Sequence, residues 1–344
     1  MTTEERILNF YDRRTLIETA AELLTPLTFL TSTFFKTIKE FATESVDLDM
    51  YKGRRQTGAY VKRRAQGQDV GKIGFETNSF TPPYLKPKVT ITPGDLRKRV
   101  PGESLFSDGN LANQAQQYIA SQIDRLDKDI IVRNIEIQAM EALYNGAVTA
   151  RDENGNVLAT VAYGRDAALV YTLGTKWDST ADKLDDALAA QLLIQEKSGF
   201  LADFALLPRD VVKYWKADQN IQRAVSKDWS SRGELAYDLR EQGGIWLGMV
   251  DGIDYWTYNE FYSNLANSGT VEALIPAKKV LFASTKAEAS QSYGAIELVD
   301  QNMGARAIDM YPCKDPSGVT VQVHSAPLLI PHHINAYAVV RVLA

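Results

Sequence analysis

Residues 110–144 carry the strongest structural signal in this sequence: NLANQAQQYIASQIDRLDKDIIVRNIEIQAMEALY. The segment contains neither Gly nor Pro, and Asn145-Gly146 directly after it supplies a helix stop. Candidate N-caps at the other end are Ser107, Asp108 and Asn110. At 1.5 Å per residue the predicted helix is a rod of ~50 Å. We interpret it as a scaffold strut, because clean heptads extend over too few turns for a coiled coil.

Two apolar stripes run along this predicted helix. The first consists of Ile119, Ile123, Leu126, Ile130 and Ile137. The second, confined to the C-terminal half, consists of Ile131, Ile135, Ala139 and Ala142. Opposite charges four residues apart lie on the other side, as Asp124–Lys128, Arg125–Asp129 and Asp129–Arg133. The pattern predicts that the first half is amphipathic and rests on a neighbour, and that the second half is nearly enclosed.

Composition limits the class of protein. A chain of 344 residues can bury large cores, and we expect two or more lobes. Apolar residues at 45% and charged residues at 24% are typical of a globular protein. The single cysteine, Cys313, excludes an internal disulfide framework. The first residues, MTTEERILNFYDRR, are acidic and polar, and no apolar run approaches the ~20 residues of a membrane span. We therefore expect folding in a cytoplasm and an amino terminus that is not processed.

Charge is distributed unevenly along the chain. Residues 51–100 contain twelve Lys and Arg against three acidic residues, a net charge of +9. Because the whole chain carries −5, the remainder carries −14. A basic segment on an acidic body suggests either nucleic acid or a second copy of the same acidic body as its partner.

The region before the long helix reads as an arm followed by an extended excursion. Residues 14–24 predict a short amphipathic helix, and the aromatic-rich run 26–35 must pack on its own body or on a neighbour. Residues 45–51 alternate as a half-buried strand. Residues 53–74 combine recurrent glycines with most of the basic residues, which indicates a ribbon without a core of its own. Residues 89–91 then predict a strand.

The region after the long helix reads as a lobe of mixed helices and strands. Strands are predicted at 147–150, 157–162, 203–207, 245–250, 253–258, 279–282 and 336–342. Asp251-Gly252 is the strongest hairpin signal. A helix is predicted at 181–197, closed by Gly199, with four residues facing inward: Leu184, Ala187, Leu188 and Ile194.

Catalytic and metal-binding signals are weak, and we predict no enzymatic activity and no cofactor. His332-His333 lack a local carboxylate or Cys partner and are more simply a polar loop than a metal site. His324-Ser325 could imitate part of a hydrolase triad, but no nucleophile elbow surrounds any serine. The run from Gly67 to Lys72 is one residue short of a phosphate loop and is followed by Ile73. Cys313 is a spectator thiol.

The basic segment 52–72 has three candidate roles. Arg54-Arg55 and Lys62-Arg63-Arg64 could grip phosphates while Tyr51 and Tyr60 stack on bases. No sequence-specific nucleic-acid module is recognisable around them. The acidic remainder of another copy is always present at equal concentration, so we favour pairing between proteins over nucleic acid, and both over a solvated loop.

Several segments resemble the phage lambda major capsid protein family. FTPPYLKPK at 80–88, with LRKR at 96–99, resembles that family's FTPxYxKPK…LRRR motif. PLTFL at 26–30 with Phe34-Phe35 is similar to the family's N-terminal arm. SAPLL at 325–329 resembles its C-terminus, and Ser292-Tyr293-Gly294 resembles a tyrosine-glycine site before it. In order and spacing these segments cover nearly the whole chain.

The resemblance implies an α+β fold, the capsid fold of tailed phages of the Hong Kong 97 type. It would have a long spine helix, an extended β-hairpin loop, and peripheral and axial domains. The implied segments are a 1–44 N-terminal arm, a 45–88 extended loop, a peripheral domain of 89–166 and 284–324 with spine helix 110–144, and an axial domain of 167–283 and 325–344.

The implied function is a late, self-assembling major head protein of a bacteriophage. Its hexamers and pentamers would build the icosahedral shell of the virion around double-stranded DNA, after assembly in the host cytoplasm. The alternative is a nucleic-acid-binding protein that uses segment 52–72. Expected partners are other copies of the chain and packaged DNA on the inner face without sequence specificity; candidates beyond these are a decoration (cement) protein, a scaffold and a portal. We predict inter-subunit contacts at Arg54, Arg55, Arg63, Arg64, Phe29, Phe34 and Phe35, and no covalent cross-link between subunits.

Overall fold

A computed structural model describes residues 27–51, 57, 60, 62–63, 66, 75–96, 111–224, 243–264, 270–298, 303–314 and 317–344. The α-helices are α1 Phe29–Phe34, α2 Pro93–Leu96, α3 Leu111–Asp124, α4 Val132–Asn145, α5 Lys183–Ser198, α6 Arg209–Ala217 and α7 Gln219–Ala224. A π-helical segment, Arg125–Ile131, joins α3 to α4, and short 3-10 turns lie at Ala167–Leu169 and Ile334–Ala336.

The strands form six separate sheets or ribbons within the described residues. Up to the spine and just after it they are β1 Thr37–Glu40, β2 Val46–Tyr51, β3 Phe75–Phe80, β4 Lys88–Ile91, β5 Ala147–Arg151 and β6 Val157–Ala162. Then follow β7 Val170–Thr172, β8 Phe204–Leu206, β9 Gly244–Val250, β10 Ile253–Tyr258, β11 Phe261–Asn264 and β12 Thr270–Ala273. The last are β13 Lys279–Ala283, β14 Ala289–Tyr293, β15 Ala307–Lys314, β16 Ser317–His324, β17 Pro327–Pro331 and β18 Tyr337–Arg341.

The predicted spine helix is present from Leu111 to Asn145, and its centre is π-helical. The amide of Val132 donates to Asp127 O, five residues back instead of four. The helix ends at Gly146, whose φ of 68° and hydrogen bond to Ala142 O confirm the predicted stop. The predicted N-caps lie outside the described residues.

The π-helical turn explains why the sequence shows two stripes. The buried ridge runs through Ile119, Ile123, Leu126, Ile131, Ile135, Ala139 and Ala142. Its steps are three or four residues except from Leu126 to Ile131, where the step is five. Because a π turn contains about one residue more than an α turn, this step keeps the ridge on one side of the rod. Ile130 and Ile137, which we assigned to the first stripe, are only partly buried.

The predicted charged side of the spine is only partly exposed to solvent. Arg133 and Asp129 form the expected half-exposed pair. Lys128, however, is 6% exposed, although it pairs with Asp124 as predicted. Asp127 is also buried and pairs with Arg306 at 2.7 Å. The wider π turn brings these two charged residues toward strand β16 and the segment before β15, so the charged side of the spine is partly covered.

A six-stranded sheet with the order β7-β18-β13-β8-β10-β9 forms the centre of the α+β part. Parallel pairing joins β7 to β18 and β8 to β10, and the other neighbours are antiparallel. The predicted hairpin closes through Asp251 at φ 49° and Gly252 at φ 79°, as a tight two-residue turn requires. All six strands come from segments that the sequence placed in the axial domain.

Alternate residues of this sheet belong to two different cores. Phe204, Leu206, Leu281 and Tyr337 pack in the core that contains the spine helix and α1. Ala205, Val280, Phe282 and Ala338 pack in a second core with α5 and α6. On α5, Ala187 and Ile194 point inward as predicted, and Gly199 closes the helix. The prediction for Leu188 is wrong: its side chain is 39% exposed, because it lies beyond the edge of the buried stripe.

Two three-stranded sheets complete the body, and most of their strands were not predicted. One has the order β1-β14-β17, and β1 runs parallel to β14. The other has the order β15-β16-β4, and a bridge between Leu85 and Ser325 lies beside it. The first sheet therefore contains strands from the segments assigned to the arm, the peripheral domain and the axial domain. The division into those domains stays a prediction.

Three antiparallel ribbons of two strands each complete the set, and one of them pairs β11 with β12 from Phe261–Ala273 to Asn264–Thr270. Strands β2 and β3 pair from Val46–Phe80 to Tyr51–Phe75, as the sequence indicated for the start and end of the excursion. Val46 and Phe80 at the base of this ribbon are buried. Strands β5 and β6 form the remaining ribbon around the turn at Asp152, again as predicted.

Candidate assembly surfaces

The first candidate surface is the arm, which we define as Leu27–Phe35. Phe29 lies 5.2 Å from Tyr258, 5.6 Å from Trp256 and 6.1 Å from Phe204, measured between ring centroids. Aromatic rings at these separations and tilts attract one another beyond the area that they bury. The arm is therefore held on the spine-facing side of the six-stranded sheet.

The structure places all three predicted arm phenylalanines inside the subunit. Phe29 and Phe35 are 0% exposed and Phe34 is 4% exposed. Phe34 packs edge-on against Phe204 and Tyr337. Of the two alternatives that the sequence left open for the arm, packing on its own body is the one observed. In this conformation these three rings leave no surface for a neighbouring subunit.

A buried carboxylate of the spine caps the arm helix. Thr28 precedes α1 but makes no capping bond through its side chain. Instead the amide of Leu30 donates to Oε1 of Glu136 at 2.7 Å, and the amide and hydroxyl of Thr31 donate to Oε2. The amide of Phe29 is bonded to the Tyr258 hydroxyl. Side chains from elsewhere in the chain thus satisfy the first free amides of the helix.

Glu136 is a functional candidate that the sequence interpretation missed. It is 3% exposed and also hydrogen-bonds to Tyr258. Burial raises the pKa of Glu136 to about 7, although hydrogen bonds from Thr31 and Leu30 act in the opposite direction. A glutamate in the second half of a helix predicted to be nearly enclosed was the available signal. Its partners on the arm lie more than 100 residues away in the chain, so nothing in the sequence indicated them.

Glycines let the arm approach the sheet edge. A Cβ at Gly244 would lie 2.1 Å from Cε2 of Phe29, and a Cβ at Gly243 would lie 3.0 Å from Leu27. Only glycine leaves room for both side chains at the start of β9. Beside the arm is a surface cleft lined by Leu27, Val132, Arg133, Glu136, Glu260, Tyr262 and Leu274.

The second candidate surface is the basic ribbon between β2 and β3. Of the four arginines that we predicted as inter-subunit contacts, Arg63 is described and exposed. Arg54, Arg55 and Arg64 lie outside the described residues. Lys62 and Tyr60 are exposed as well. Of the predicted contact residues that the structure describes, the arm phenylalanines are in the core and Arg63 faces solvent, so these are not brought together.

Large apolar side chains are also exposed on two ribbons and on one helix, among other positions. Val157 and Leu158 are 54% and 70% exposed on the β5–β6 ribbon. Phe261 and Val271 are 50% and 71% exposed on the same face of the β11–β12 ribbon. Leu192 on α5 is 65% exposed next to Leu188. Apolar surface on protruding ribbons and on a helix is typical of proteins that bind other proteins.

The residues considered for catalysis have unrelated partners. His324 contacts the Tyr84 hydroxyl through Nδ1 at 2.7 Å, whereas Ser325 donates to Ala305 O. This pair is therefore not arranged as a base and its nucleophile. His332 contacts Ser290 and His333 packs on Phe200, so the adjacent histidines do not converge on one point.

Of the remaining motifs, the structure describes one and leaves the other outside the described residues. Cys313 lies 3.0 Å from the Thr320 hydroxyl, and the run from Gly67 to Lys72 falls outside the described residues. In the described part of the chain no three His, Cys, Asp or Glu side chains are grouped as a metal would need. Over the same residues, no helix is both long and apolar enough to cross a membrane.

Comparison with known proteins identifies the family. Residues 12–342 match the model of the family described as phage major capsid protein E. The major capsid protein of Escherichia phage lambda is 26% identical over 312 residues, which cover 86% of this chain and 89% of the relative. The major capsid protein of Enterobacteria phage P21 is 24% identical over 320 residues, covering 90% and 92%.

Solved structures show the same fold. A prophage protein of Escherichia coli CFT073 assigned to the capsid superposes with a TM-score of 0.72 at 17% identity, covering 100% of this chain and 99% of that one. A phage-related protein from Bordetella bronchiseptica RB50 superposes with a TM-score of 0.52 at 12% identity, covering 95% and 96%. The predicted α+β fold of the Hong Kong 97 type is confirmed. The chain belongs to the phage major capsid protein E family.

Proposed function

We propose that this chain is the major head protein of a bacteriophage, whose copies assemble into the shell of the virion. The observation that carries the proposal is the family match over residues 12–342, nearly the whole chain. The family consists of structural proteins, in agreement with the prediction that the chain is not an enzyme. The alternative of a nucleic-acid-binding protein finds no support among the relatives.

The architecture suits a subunit that must be stiff itself and still bind its neighbours. The spine helix and the six-stranded sheet share one core, so the body is a rigid unit. Of the four ribbon side chains that the structure describes, Val46 and Phe80 at the base are buried and Asp47 and Ser79 are exposed. A two-stranded ribbon of this kind is marginal alone and gains stability when it lies on another surface. We infer that this surface is a neighbouring copy.

The finer assignments belong to the same proposal. We take 1–44 as the N-terminal arm segment, of which Leu27–Phe35 is the part called the arm above, 45–88 as the extended loop, and the two remaining pairs of segments as the peripheral and axial domains. Copies would form hexamers and pentamers in the host cytoplasm and enclose DNA without reading its sequence. A decoration protein, a scaffold and a portal are candidate further partners.

Charge gives the proposal a testable contact. The +9 segment 51–100 of one copy would lie on the −14 remainder of another. One exposed ion pair is worth only about 0–1 kcal/mol, but a shell repeats the contact in every subunit. At about 1 M salt the Debye length falls to roughly 3 Å, which removes most of this attraction.

The test is negative-stain microscopy of the expressed protein and of a quadruple variant. We expect closed shells from the natural chain at low salt and none after Arg54, Arg55, Arg63 and Arg64 are all changed to Glu. The matched control changes four exposed lysines away from the ribbon to Glu, with the same change in charge: Lys36, Lys213, Lys216 and Lys286. If the natural chain never forms particles, the proposed function is wrong. If the arginine variant forms normal shells that package no DNA, these arginines face the genome instead.

A further inference from the structure

The arm is attached to the body in a way that allows it to open. Its helix α1 has only six residues, too few to persist in water without packing. Strand β1, which follows it, is exposed at all four positions. Besides the pairing of β1 with β14 and the contact of Phe34 with Tyr337, the arm is held by its seat, which we define as Glu136, Phe204, Gly244, Trp256 and Tyr258.

The centre of that seat is a carboxyl group with uncharged partners. Among the described residues, Glu136 is bonded to the amides of Leu30 and Thr31 and to the hydroxyls of Thr31 and Tyr258. Such bonds offset only part of the cost of burying an ion. The neutral acid avoids that cost.

A proton on Glu136 also has an acceptor. The acid can donate to the Tyr258 oxygen, while the Tyr258 hydroxyl points to Leu27 O at 3.4 Å. The amides of Leu30 and Thr31 remain bonded to the two carboxyl oxygens. The closed arm therefore accommodates the neutral acid without losing a hydrogen bond.

We propose that the arm is a latch, closed on the spine helix while Glu136 is protonated and loosened when Glu136 is ionised. This is a property of the single subunit and does not depend on shell formation. A carboxyl group freed by opening would be exposed to water, and its pKa would return toward the ordinary value of 4.5.

The pH window follows from the difference between the two states. With the arm closed, burial raises the pKa of Glu136 to about 7. Below 4.5 the group is protonated in both states, and closure is at full strength. Between 4.5 and about 7 closure weakens steadily, because Glu136 is protonated in the closed arm and ionises when the arm opens. Above 7 the weakening is complete.

Other charged groups surround the seat and must be separated from Glu136. Arg133 lies one turn away on the same helix, and its guanidinium binds Asp129. From the neighbouring ribbon Glu260 and Tyr262 line the adjoining cleft, and Tyr258 lies on β10. Burial raises the pKa of Glu260 as well, so it is the competing explanation for any pH response.

Hydrogen exchange of the full-length protein tests the latch. The readout is the protection factor of a peptide spanning Leu27–Phe35 from pH 5 to pH 8, corrected for the intrinsic rate at each pH. We expect protection to fall at least about tenfold between these two pH values, with an upper limit of about 70-fold set by the shift in the pKa of Glu136 from 4.5 to about 7. In Glu136→Gln, which keeps the shape of the neutral acid, protection should not change with pH.

Two further variants complete the design. Glu260→Gln should keep the pH response of the natural chain. Gly244→Ala, whose Cβ would occupy the position of Phe29, is the reference for the open arm and should show low protection of the Leu27–Phe35 peptide at every pH. A flat profile for the natural chain, or a response that persists in Glu136→Gln and vanishes in Glu260→Gln, overturns the proposal. Should Glu136→Gln not fold, the natural chain and Glu260→Gln still decide between the two carboxyl groups.

Discussion

The two halves of the spine helix share one ridge but differ in what surrounds them. Helix α3 packs on strand β16, and from Tyr118 to Asp124 only Ile119 and Ile123 are buried. Helix α4 lies among α1, β5, β17 and β18, and even its polar Glu136 and Gln138 are buried. The spine helix is therefore enclosed by packed elements along α4, whereas α3 is supported on one side only.

The largest expected effect comes from a substitution that creates a cavity in the enclosed half of the spine helix. Ile135→Ala should lower the free energy of unfolding by about 4 kcal/mol, because the packed surroundings cannot collapse into the cavity. Ile123→Ala removes the same atoms from the one-sided half and should cost only about 2–3 kcal/mol, since its neighbours can relax. Urea unfolding of both variants measures the difference. Equal losses would show that the two halves are equally constrained.

An intermediate effect is expected at the C-terminal end of the enclosed half. Gly146 and Gly164 have nearly the same φ, 68° and 69°, so Ala at either site costs about 1 kcal/mol in backbone strain. A Cβ at Gly146 would also meet Arg165 Nε at 2.8 Å, whereas at Gly164 nothing lies within 4 Å.

Because Arg165 donates to the carbonyls of Leu143 and Tyr144 at the helix end, Gly146→Ala should cost about 1–2 kcal/mol more than Gly164→Ala. Thermal unfolding of the pair measures the excess. If the two variants have the same melting temperature, the contacts of Arg165 with the helix end contribute little to stability.

The smallest effect is expected on the exposed side of the spine. Asp129→Ala removes the half-exposed pair with Arg133 and should cost at most about 0.5 kcal/mol, a loss that vanishes at about 1 M salt. A double-mutant cycle with Arg133→Ala isolates the pair. A coupling that persists in high salt would place this side in a less solvated environment than its exposure indicates.

Local signals predicted some of the helices and hairpins, because periodicity and turn residues are properties of neighbouring positions. The spine, its stop at Gly146 and the hairpin at Asp251-Gly252 are examples. The same signals did not predict α1 or the hairpins β11–β12 and β15–β16. Strand β14 was missed because ASQSY has no apolar alternation, although most of it is buried. Strand β16 carried a usable signal, since Val319, Val321 and Val323 recur at every second position.

The candidate surfaces were less predictable than the fold. Phe29 and Phe34 read as an unpartnered apolar arm, because the aromatic residues that receive them, such as Trp256, are distant in the chain. Burial of Lys128 depends on the π-helical turn, which a fixed helical period cannot represent. Arg63 carries a charge visible in the sequence, and the structure of one copy shows only that its side chain is exposed.

The π-helical turn has a consequence for how this chain tolerates insertions and deletions. One residue corresponds to about 100° of rotation in an α-helix. Removing a single residue between Leu126 and Ile131 would restore a four-residue step, but only by rotating one half of the rod against the other or by sliding it by one position. The extra residue thus sets the phase between the surface on which α3 rests and the one that encloses α4. In a relative with a regular α-helix at this position, the surfaces that contact the two halves would have to be rotated relative to each other to match.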